Sequence, residues 1–402
     1  MSAGHSATIP ADVVTRIPDK SSWASLPKVF AGAGVVALVA AFFVGGSERF
    51  AFSYLVAYMF GLSIALGALF FVIVQFLVKA GWSVVVRRIA ENMMMTLPVF
   101  AILFIPLAFG FHHTHHHWWH YEAGTDPILD AKLPFLNPPF FFVRAAVYLA
   151  VWSGLALLFW RASTTQDETG DQEITYRLQK LAPVGLILFA LSLTFAAIDW
   201  MKSMDPHWFS TMWGVYYFSG AVVAVFAMMI VLVLWLQRDG MLAKIVNAEH
   251  YHDLGKLLFG FMVFWSYIAF SQYFLIWYAN IPEETLWFQH RSVGGWSNVG
   301  QLLIVGHFVV PFFFLLPRGI KRHPTTLFVG AVWMLAMHYV DLYYVVMPVH
   351  DHHGPHPSVA DILCLVGVVG IFLGVFGYVC RRAELVPRRD PRLPESLAFE
   401  NH

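Results

Sequence analysis

The sequence predicts an all-α integral membrane protein with about ten transmembrane helices. Of its 402 residues, 58% are hydrophobic, 17% are aromatic and only 12% are charged, a composition that soluble domains do not show. Apolar segments of the length needed to cross a bilayer recur along the whole chain. Lysine and arginine fall in every second connection, as expected when alternate loops lie on the cytoplasmic side.

Ten segments are long and apolar enough to span the membrane. Only a helix satisfies all backbone hydrogen bonds inside one such segment, and the alternating pattern of a membrane barrel strand is absent. The segments lie near residues 28–46, 50–78, 88–111, 140–160, 180–200, 208–237, 256–281, 298–317, 323–348 and 359–380.

The basic residues predict the orientation of these helices. Twenty of the 25 lysines and arginines lie in the two tails and the even-numbered loops, or at the helix edges beside them. The odd-numbered loops hold Arg49, Lys132, Lys202 and Arg291, while Arg144 lies just inside helix four. One helix more or fewer would destroy this asymmetry, so it supports ten crossings with both termini cytoplasmic.

The same pattern divides the chain into three parts. Residues 1–27 are polar and lack the apolar core of a signal peptide, which predicts a cytoplasmic N-terminal tail. A transmembrane domain is predicted over 28–382, followed by a cytoplasmic tail over 383–402. The domain is expected in the cytoplasmic membrane, in contact with lipid.

Charge and cysteine content exclude several functions. The net charge is zero and no basic stretch is long enough for a nucleic-acid interface, so no nucleic acid is expected as a partner. Cys364 and Cys380 form no CxxC or CxxCH motif, which excludes cysteine-ligated iron–sulfur clusters and c-type haem. His307 and His338 provide one histidine pair, whereas a dihaem cytochrome b would need pairs at two depths. We therefore expect no haem and no bound metal.

A weak internal repeat is spaced four helices apart. Asp199 precedes Pro206 by seven residues at the end of helix five, and Asp341 precedes Pro348 by the same interval at the end of helix nine. Two four-helix bundles, helices 2–5 and 6–9, flanked by helices 1 and 10, would explain this spacing. The alternative is chance similarity.

Ionisable residues inside the membrane are costly and therefore candidate functional residues. Glu91 lies one turn into helix three, although Arg87 at i−4 also makes an ordinary ion pair a sound interpretation. A second cluster, with His252 and Asp253, lies at the cytoplasmic start of helix seven. It fits proton uptake and a solvated helix start equally well.

The strongest candidates lie in helices eight and nine. His307 is near the middle of helix eight, and His338 in helix nine has Asp341 three residues later on the same face. A carboxylate so placed can accept the imidazole N–H and tune it for proton exchange. The alternative is a polar clamp between helices.

Further candidates lie toward the predicted periplasmic side. Asp199 and His207 belong to a cluster at the end of helix five, where an ordinary interfacial cluster is the alternative. Six histidines follow helix three, at His112, His113, His115, His116, His117 and His120. They suit a partner-binding or proton-buffering surface better than a metal site, because no fixed ligand spacing is present.

Four motifs resemble a known family. They read DWM at 199–201, MDPHWFSTMWG at 204–214, HDLGKLLF at 252–259 and YANIPEET at 278–285. Together they closely resemble the NrfD-like family, also called the polysulfide reductase membrane subunit family. Within it, the likeness is to the ActF type, the second membrane subunit of alternative complex III. Members have two four-helix bundles and bind quinone without haem.

The resemblance implies a membrane subunit of a quinol:cytochrome c, or other periplasmic acceptor, oxidoreductase in a bacterial respiratory or photosynthetic chain. It implies a sister NrfD-like subunit and periplasmic subunits carrying iron–sulfur clusters and c-type haem. Quinone or menaquinone is the expected cofactor class, with the quinol site usually credited to the sister subunit.

The resemblance also suggests a role in proton movement. This role maps onto residues from one membrane edge to the other, namely Glu91, His252, Asp253, His307, His338, Asp341, Asp199 and His207. The alternative is a stand-alone secondary transporter or ion-conducting protein, which helices interrupted at mid-membrane in corresponding positions of the two halves would favour.

Overall fold

A computed structural model describes residues 9–10 and 12–401. Residues 1–8 and 11 of the predicted N-terminal tail, and His402 of the C-terminal tail, lie outside the described residues. Within the described ranges the chain forms helices joined by loops, with one isolated β-bridge between Val14 and Met241. The predicted all-α fold is therefore confirmed.

The α-helices follow one another along the chain as α1 (Leu26–Leu77), α2 (Val84–Met94), α3 (Leu97–Thr114), α4 (His116–Trp119), α5 (Pro127–Lys132), α6 (Pro138–Thr169), α7 (Glu173–Trp200), α8 (Trp213–Arg238), α9 (Ala248–Ala279), α10 (Pro282–Ser292), α11 (Trp296–Leu303), α12 (Val310–Leu315), α13 (Arg318–Arg322), α14 (Pro324–Val346), α15 (Val359–Cys380) and α16 (Leu393–Leu397). A π-helical turn, Ile304–Val309, joins α11 to α12, and 3-10 turns occur at Ser22–Ala24, Lys202–Met204 and Met347–Val349.

Nine helical segments of the described chain are long and apolar enough to cross a membrane. The first, α1, has 52 residues. At 1.5 Å per residue it would extend about 78 Å, more than twice the ~30 Å apolar core of a bilayer. It is broken at Gly46, where φ is +68°.

The break at Gly46 reverses the chain and divides α1 into two antiparallel limbs. A Cβ on Gly34 would lie 2.7 Å from the Gly367 carbonyl oxygen, and one on Gly61 would lie 2.7 Å from Val368. Both limbs therefore pass the same level of α15. With α1 counted as two limbs, the described residues contain ten segments long and apolar enough to cross a membrane, in agreement with the predicted segments 28–46 and 50–78 and the eight that follow.

The crossing segments pack as two groups with the same internal order. In the first bundle, the second limb of α1 packs on α3 and α7, α3 packs on α6, and α6 packs on α7. In the second bundle, α8 packs on α9 and α14, α9 packs on α12, and α11 and α12 pack on α14. α15 lies against both limbs of α1. This packing agrees with the grouping that the repeat predicts.

The two bundles meet along the second limb of α1 and α8. Residues 51–69 are buried without interruption, and α8 is buried nearly all round. A helix that is apolar on every side belongs in a protein core. The contact is close, because a Cβ on Gly67 would lie 2.4 Å from the Ala221 carbonyl oxygen.

Three crossing helices extend beyond their predicted bounds at the ends that carry the basic loops. α6 continues to Thr169, α7 begins at Glu173 and α9 begins at Ala248. Polar sequence forms these extra turns, so hydropathy did not reveal them. At the start of α9, Asn247 accepts bonds from the backbone N–H groups of the first turn, a standard helix cap.

Both tails pack on one side of the described structure, here called the basic side. Thr15 accepts from the Leu385 N–H at 2.7 Å, Ser396 donates to the Trp82 carbonyl at 2.6 Å, and Trp23 donates to Asp239 at 2.6 Å. The loops rich in histidine lie at the other end, the histidine-rich side. The described parts of both tails therefore lie on the same side, as an even number of crossings between them requires.

Candidate functional site

Asp341 is the buried carboxyl group at the centre of the second bundle. Its side chain is in the last turns of α14 and the residue is only 2% exposed. One carboxyl oxygen accepts a short bond from the Tyr216 hydroxyl on α8. The other accepts from Trp265 Nε1 on α9 at 3.2 Å. Among the described residues no lysine, arginine or histidine forms an ion pair with it.

Trp265 connects Asp341 to His307. Its ring stacks on the His307 imidazole, with centroids 3.7 Å apart and planes 25° apart. The imidazole is fully buried, and neither ring nitrogen has a hydrogen-bond partner in the described structure. A buried polar group left unsatisfied is unfavourable and calls for an explanation, of which a functional role is one.

The π-helical turn that carries His307 has a local cause. Pro311 has no N–H to donate to the carbonyl four residues before it, which is that of His307. The helix widens here, and the Val310 N–H bonds to the Val305 carbonyl five residues earlier. Trp333 Nε1 donates to the Gly306 carbonyl at 2.7 Å and fixes the turn against α14. Single π turns are frequent at functional sites.

His338 lies near this group but does not pair with Asp341. Its Nε2 is 2.9 Å from the Ser63 hydroxyl on the second limb of α1, and its Nδ1 has no partner. The predicted pairing of His338 with Asp341 is therefore wrong in this conformation. The two side chains diverge because α1 and α8 both approach α14, and each provides a closer partner for one of them.

A narrow cavity lies between α8 and α14, beside His338 and Asp341. It is lined by Tyr216, Tyr217, Gly220, His338 and Asp341, among others, and is too narrow for a water molecule. Gly220 is required here, because a Cβ would lie 2.7 Å from the His338 ring.

Asp199 occupies the corresponding place in the first bundle and has a different environment. Arg144 on α6 forms two bonds with its carboxylate, at 2.8 and 2.9 Å, and Tyr148 donates at 2.8 Å. The arginine also lies over the rings of Phe135 and Phe140. A two-point arginine–carboxylate pair of this kind fixes geometry.

Glu91 is enclosed by charges on the basic side. Arg87 and Arg88 donate to its two oxygens at 2.9 and 2.7 Å, and the glutamate is fully buried. Arg87 also pairs with Asp390 of the C-terminal segment at 2.6 Å, and Arg88 with Asp167 at 2.7 Å. The ion-pair interpretation of Glu91 describes this site, with two arginines in place of one.

His252 and Asp253 lie at the start of α9 beneath the C-terminal segment. Asp253 pairs with Lys256 and accepts from Asn401 at 2.9 Å. His252 Nδ1 is 3.9 Å from the nearest oxygen of Glu249. The predicted C-terminal tail packs against the bundle, because its Leu385, Val386 and Leu393 side chains are buried.

His207 lies on the histidine-rich side and pairs with Asp126 at 2.5 Å. The hydrogen bond from His207 holds the pKa of Asp126 below its usual value. The six-histidine stretch does not converge, and within the described ranges no three histidine, cysteine or acidic side chains meet as a metal site would require. His115 alone is fully buried, and burial lowers its pKa to about 3.

The structure therefore brings together three of the eight residues predicted for a proton path. His307, His338 and Asp341 form one group, while Glu91, Asp199, His207 and the pair His252 and Asp253 lie at four separate places.

Sequence reasoning missed four residues that contact the candidate residues, namely Ser63, Arg144, Tyr216 and Trp265. Arg144 carried a usable signal, because it is the one basic residue that falls inside a predicted helix away from the basic loops. The three others resemble ordinary core residues and gave no signal.

No model of a known protein family matches the chain, and no curated protein matches it. The fold and the site together define a polytopic helical membrane protein with a buried carboxyl group that has no cationic partner among the residues of 9–10 and 12–401.

Proposed function

We propose that this chain conducts protons as an NrfD-like membrane subunit of a quinol:periplasmic acceptor oxidoreductase of the alternative complex III type, in the bacterial inner membrane. Asp341 would exchange protons in the second bundle, assisted by His307 and His338. The observation that carries the proposal is the environment of Asp341, a buried carboxyl group held by two neutral donors. Such a group can take up and release a proton without breaking an ion pair.

The hydrogen bonds around Asp341 support a relay. Tyr216 and Trp265 hold the carboxyl group in place from two helices, and Trp265 also contacts His307. The imidazole nitrogens of His307 and one of His338 remain available to accept or pass on a proton. Imidazole suits this role because it gains and loses protons near neutral pH.

The redox setting of the proposal is supported by the four motifs quoted above. Two of them supply the cavity wall, through Met201 and Trp213. Partner subunits with iron–sulfur clusters and c-type haem would carry the electrons. A quinone ring does not fit this cavity, because the space is too narrow for a water molecule and ligand pockets usually exceed about 300 Å³. The sister subunit is accordingly the better place for quinol.

A stand-alone secondary transporter is the alternative. Two crossing segments are interrupted, at Met95 between α2 and α3 and at the π-helical turn before α12. These are helices three and eight, which do not correspond in the two bundles, so the pattern of paired broken helices is not met. Purification in mild detergent distinguishes the two. Copurification with c-type haem and iron–sulfur proteins supports the redox proposal, and isolation of the chain alone supports the transporter.

Asp341→Asn is the direct test of proton conduction. Asparagine keeps the shape and the hydrogen bonding but cannot release a proton. We expect normal assembly and a loss of about tenfold or more in quinol-driven turnover and the associated proton release, measured in vesicles. Tyr216→Phe, which removes one donor and leaves the carboxyl group, should have a smaller effect. Normal assembly with unchanged proton release in Asp341→Asn would reduce Asp341 to a structural clamp.

A further inference from the structure

Arg291 is a buried arginine on the histidine-rich side, and no carboxylate of the described residues is in contact with it. It is 3% exposed and ends α10, the helix between α9 and α11. Its guanidinium donates to the backbone carbonyls of Trp287, Tyr344 and Val345 at 3.1, 3.2 and 2.7 Å. The group also lies 3.7 Å from the centre of the Trp287 ring.

Helix capping explains only part of the contacts that Arg291 makes. Tyr344 and Val345 are in the last turn of α14, where carbonyls lack helical partners and a cation is favourable. Lys321 caps a helix in the same way on the basic side, by donating to the carbonyls of Leu315 and Leu316. Lys321, however, caps the helix just before it, whereas Arg291 reaches across to a helix some fifty residues away.

Arg291 lies beside the Asp341 group. The Trp287 ring beneath its guanidinium contacts Tyr344 and Trp213, and the Trp213 ring stacks on Tyr216. Asp205 is the carboxylate that acts on the charge of Arg291. Tyr216 donates directly to Asp341, and Tyr344 is one turn beyond Asp341 on the same helix. Arg291 thus lies just outside the Asp341 group, toward the histidine-rich side. Burial lowers its pKa to about 10, so it stays cationic at neutral pH.

We infer that Arg291 is an electrostatic barrier that closes the Asp341 site to protons from the histidine-rich side. A fixed, desolvated positive charge repels hydronium, as arginine does in water channels that exclude protons. Tryptophan and carbonyl contacts hold the charge without neutralising it. This inference rests on the proposed function of Asp341. Arg291 is then a positioning residue, which acts on the approach of protons through its electrostatic field.

Proton leak through vesicles tests the barrier. The full-length chain, as isolated from membranes, is placed in phosphatidylethanolamine–phosphatidylglycerol vesicles that contain a pH-sensitive dye. An imposed pH difference then drives protons, with potassium and valinomycin balancing charge. We expect Arg291→Gln to raise the leak by about tenfold or more, since tenfold corresponds to only ~1.4 kcal/mol of barrier. Arg291→Lys should behave like the natural protein, because it keeps the charge.

Two further variants separate charge from damage. Adding Asp341→Asn to Arg291→Gln should return the leak to its original level, because the conducting group is gone. Arg291→His should leak more as the pH rises and its imidazole loses charge, a comparison made within one folded protein. The barrier is overturned if Arg291→Gln does not leak, if Arg291→Lys leaks equally, if the double variant still leaks, or if the leak of Arg291→His ignores pH.

The two proposals fail in different ways. If Asp341→Asn impairs proton release while Arg291→Gln does not raise the proton leak, only the barrier inference is wrong. If Asp341→Asn alone leaves proton release intact, the proposed function is wrong and the barrier falls with it.

Discussion

Asp199 and Asp341 end corresponding helices of the two bundles, yet their surroundings differ. Asp199 is held by Arg144 through two charged hydrogen bonds and by Tyr148 through a third. Asp341 receives one bond each from Tyr216 and Trp265, both neutral. The first arrangement fixes the charge, whereas the second leaves the carboxyl group free to change its protonation.

The difference between the two aspartates separates a structural role from one in proton exchange. An ion pair buried in a low-dielectric interior is held together strongly, because separating it leaves an isolated charge. Such a pair suits a structural joint between α6 and α7. A carboxyl group among neutral donors contributes less to stability and more to exchange. On the proposed function, the first bundle would serve as the scaffold and the second bundle would hold the exchanging group.

The largest effect on stability is expected when Arg144, the cationic partner of Asp199, is replaced. Arg144→Gln leaves Asp199 buried without a cation, which should cost about 3–5 kcal/mol of stability and lower the melting temperature in detergent sharply. Adding Asp199→Asn should restore much of the loss, because no isolated charge then remains. A small effect of Arg144→Gln, or no recovery in the double variant, would remove the contrast between the two aspartates.

Acid sensitivity should arise in the first bundle from His115. Burial lowers the pKa of His115 to about 3, whereas an unfolded histidine titrates near 6.5. The unfolded state binds the proton first, so stability should fall between pH 6.5 and 3, by about 1.4 kcal/mol per pH unit at most. His115→Gln should lose less stability over this range. Melting curves at pH 7 and pH 4.5 decide this, and equal pH shifts in both proteins would exclude His115 as the source.

The smallest effect concerns the second donor to Asp341. Trp265→Phe keeps an aromatic ring against His307 but removes the N–H that bonds to the carboxyl group. A net hydrogen bond is worth about 1 kcal/mol, so we expect a change of roughly fivefold in proton-coupled turnover with nearly unchanged stability. Turnover and melting temperature measured on one preparation provide the check. A large loss of stability would show that Trp265 is structural instead.

Hydropathy and charge predicted much of the fold because each crossing is encoded locally. The reversal at Gly46 falls at the end of the predicted segment 28–46, because the polar residues Ser47, Glu48 and Arg49 separate it from segment 50–78. The end segment, Val359–Cys380, agrees with its predicted bounds. The polar extensions of α6, α7 and α9 were missed, because tertiary contacts and caps stabilise them and apolar composition does not.

The candidate site was less predictable because its partners come from different helices. Asp341 and His338 stood out as ionisable residues in an apolar segment, but spacing of three residues suggested that they pair with each other. The actual partners, Ser63 and Tyr216, lie far away in sequence and became close only through the packing of α1 and α8 on α14. Periodicity along one helix carries no information about that crossing.

The pairing of Arg87 with Asp390 has a consequence for how the protein is made. Arg87 and Arg88 enter the membrane-facing bundle early in synthesis, with Glu91 as their only nearby counter-charge until α6 brings Asp167. Asp390 is synthesised after all ten crossings. Glu91 and Asp167 balance the two arginines once α6 has been made, so Asp390 adds a second carboxylate to Arg87 only after the last crossing helix. The contact of α2 with the C-terminal segment is therefore the last part of this charged cluster to form.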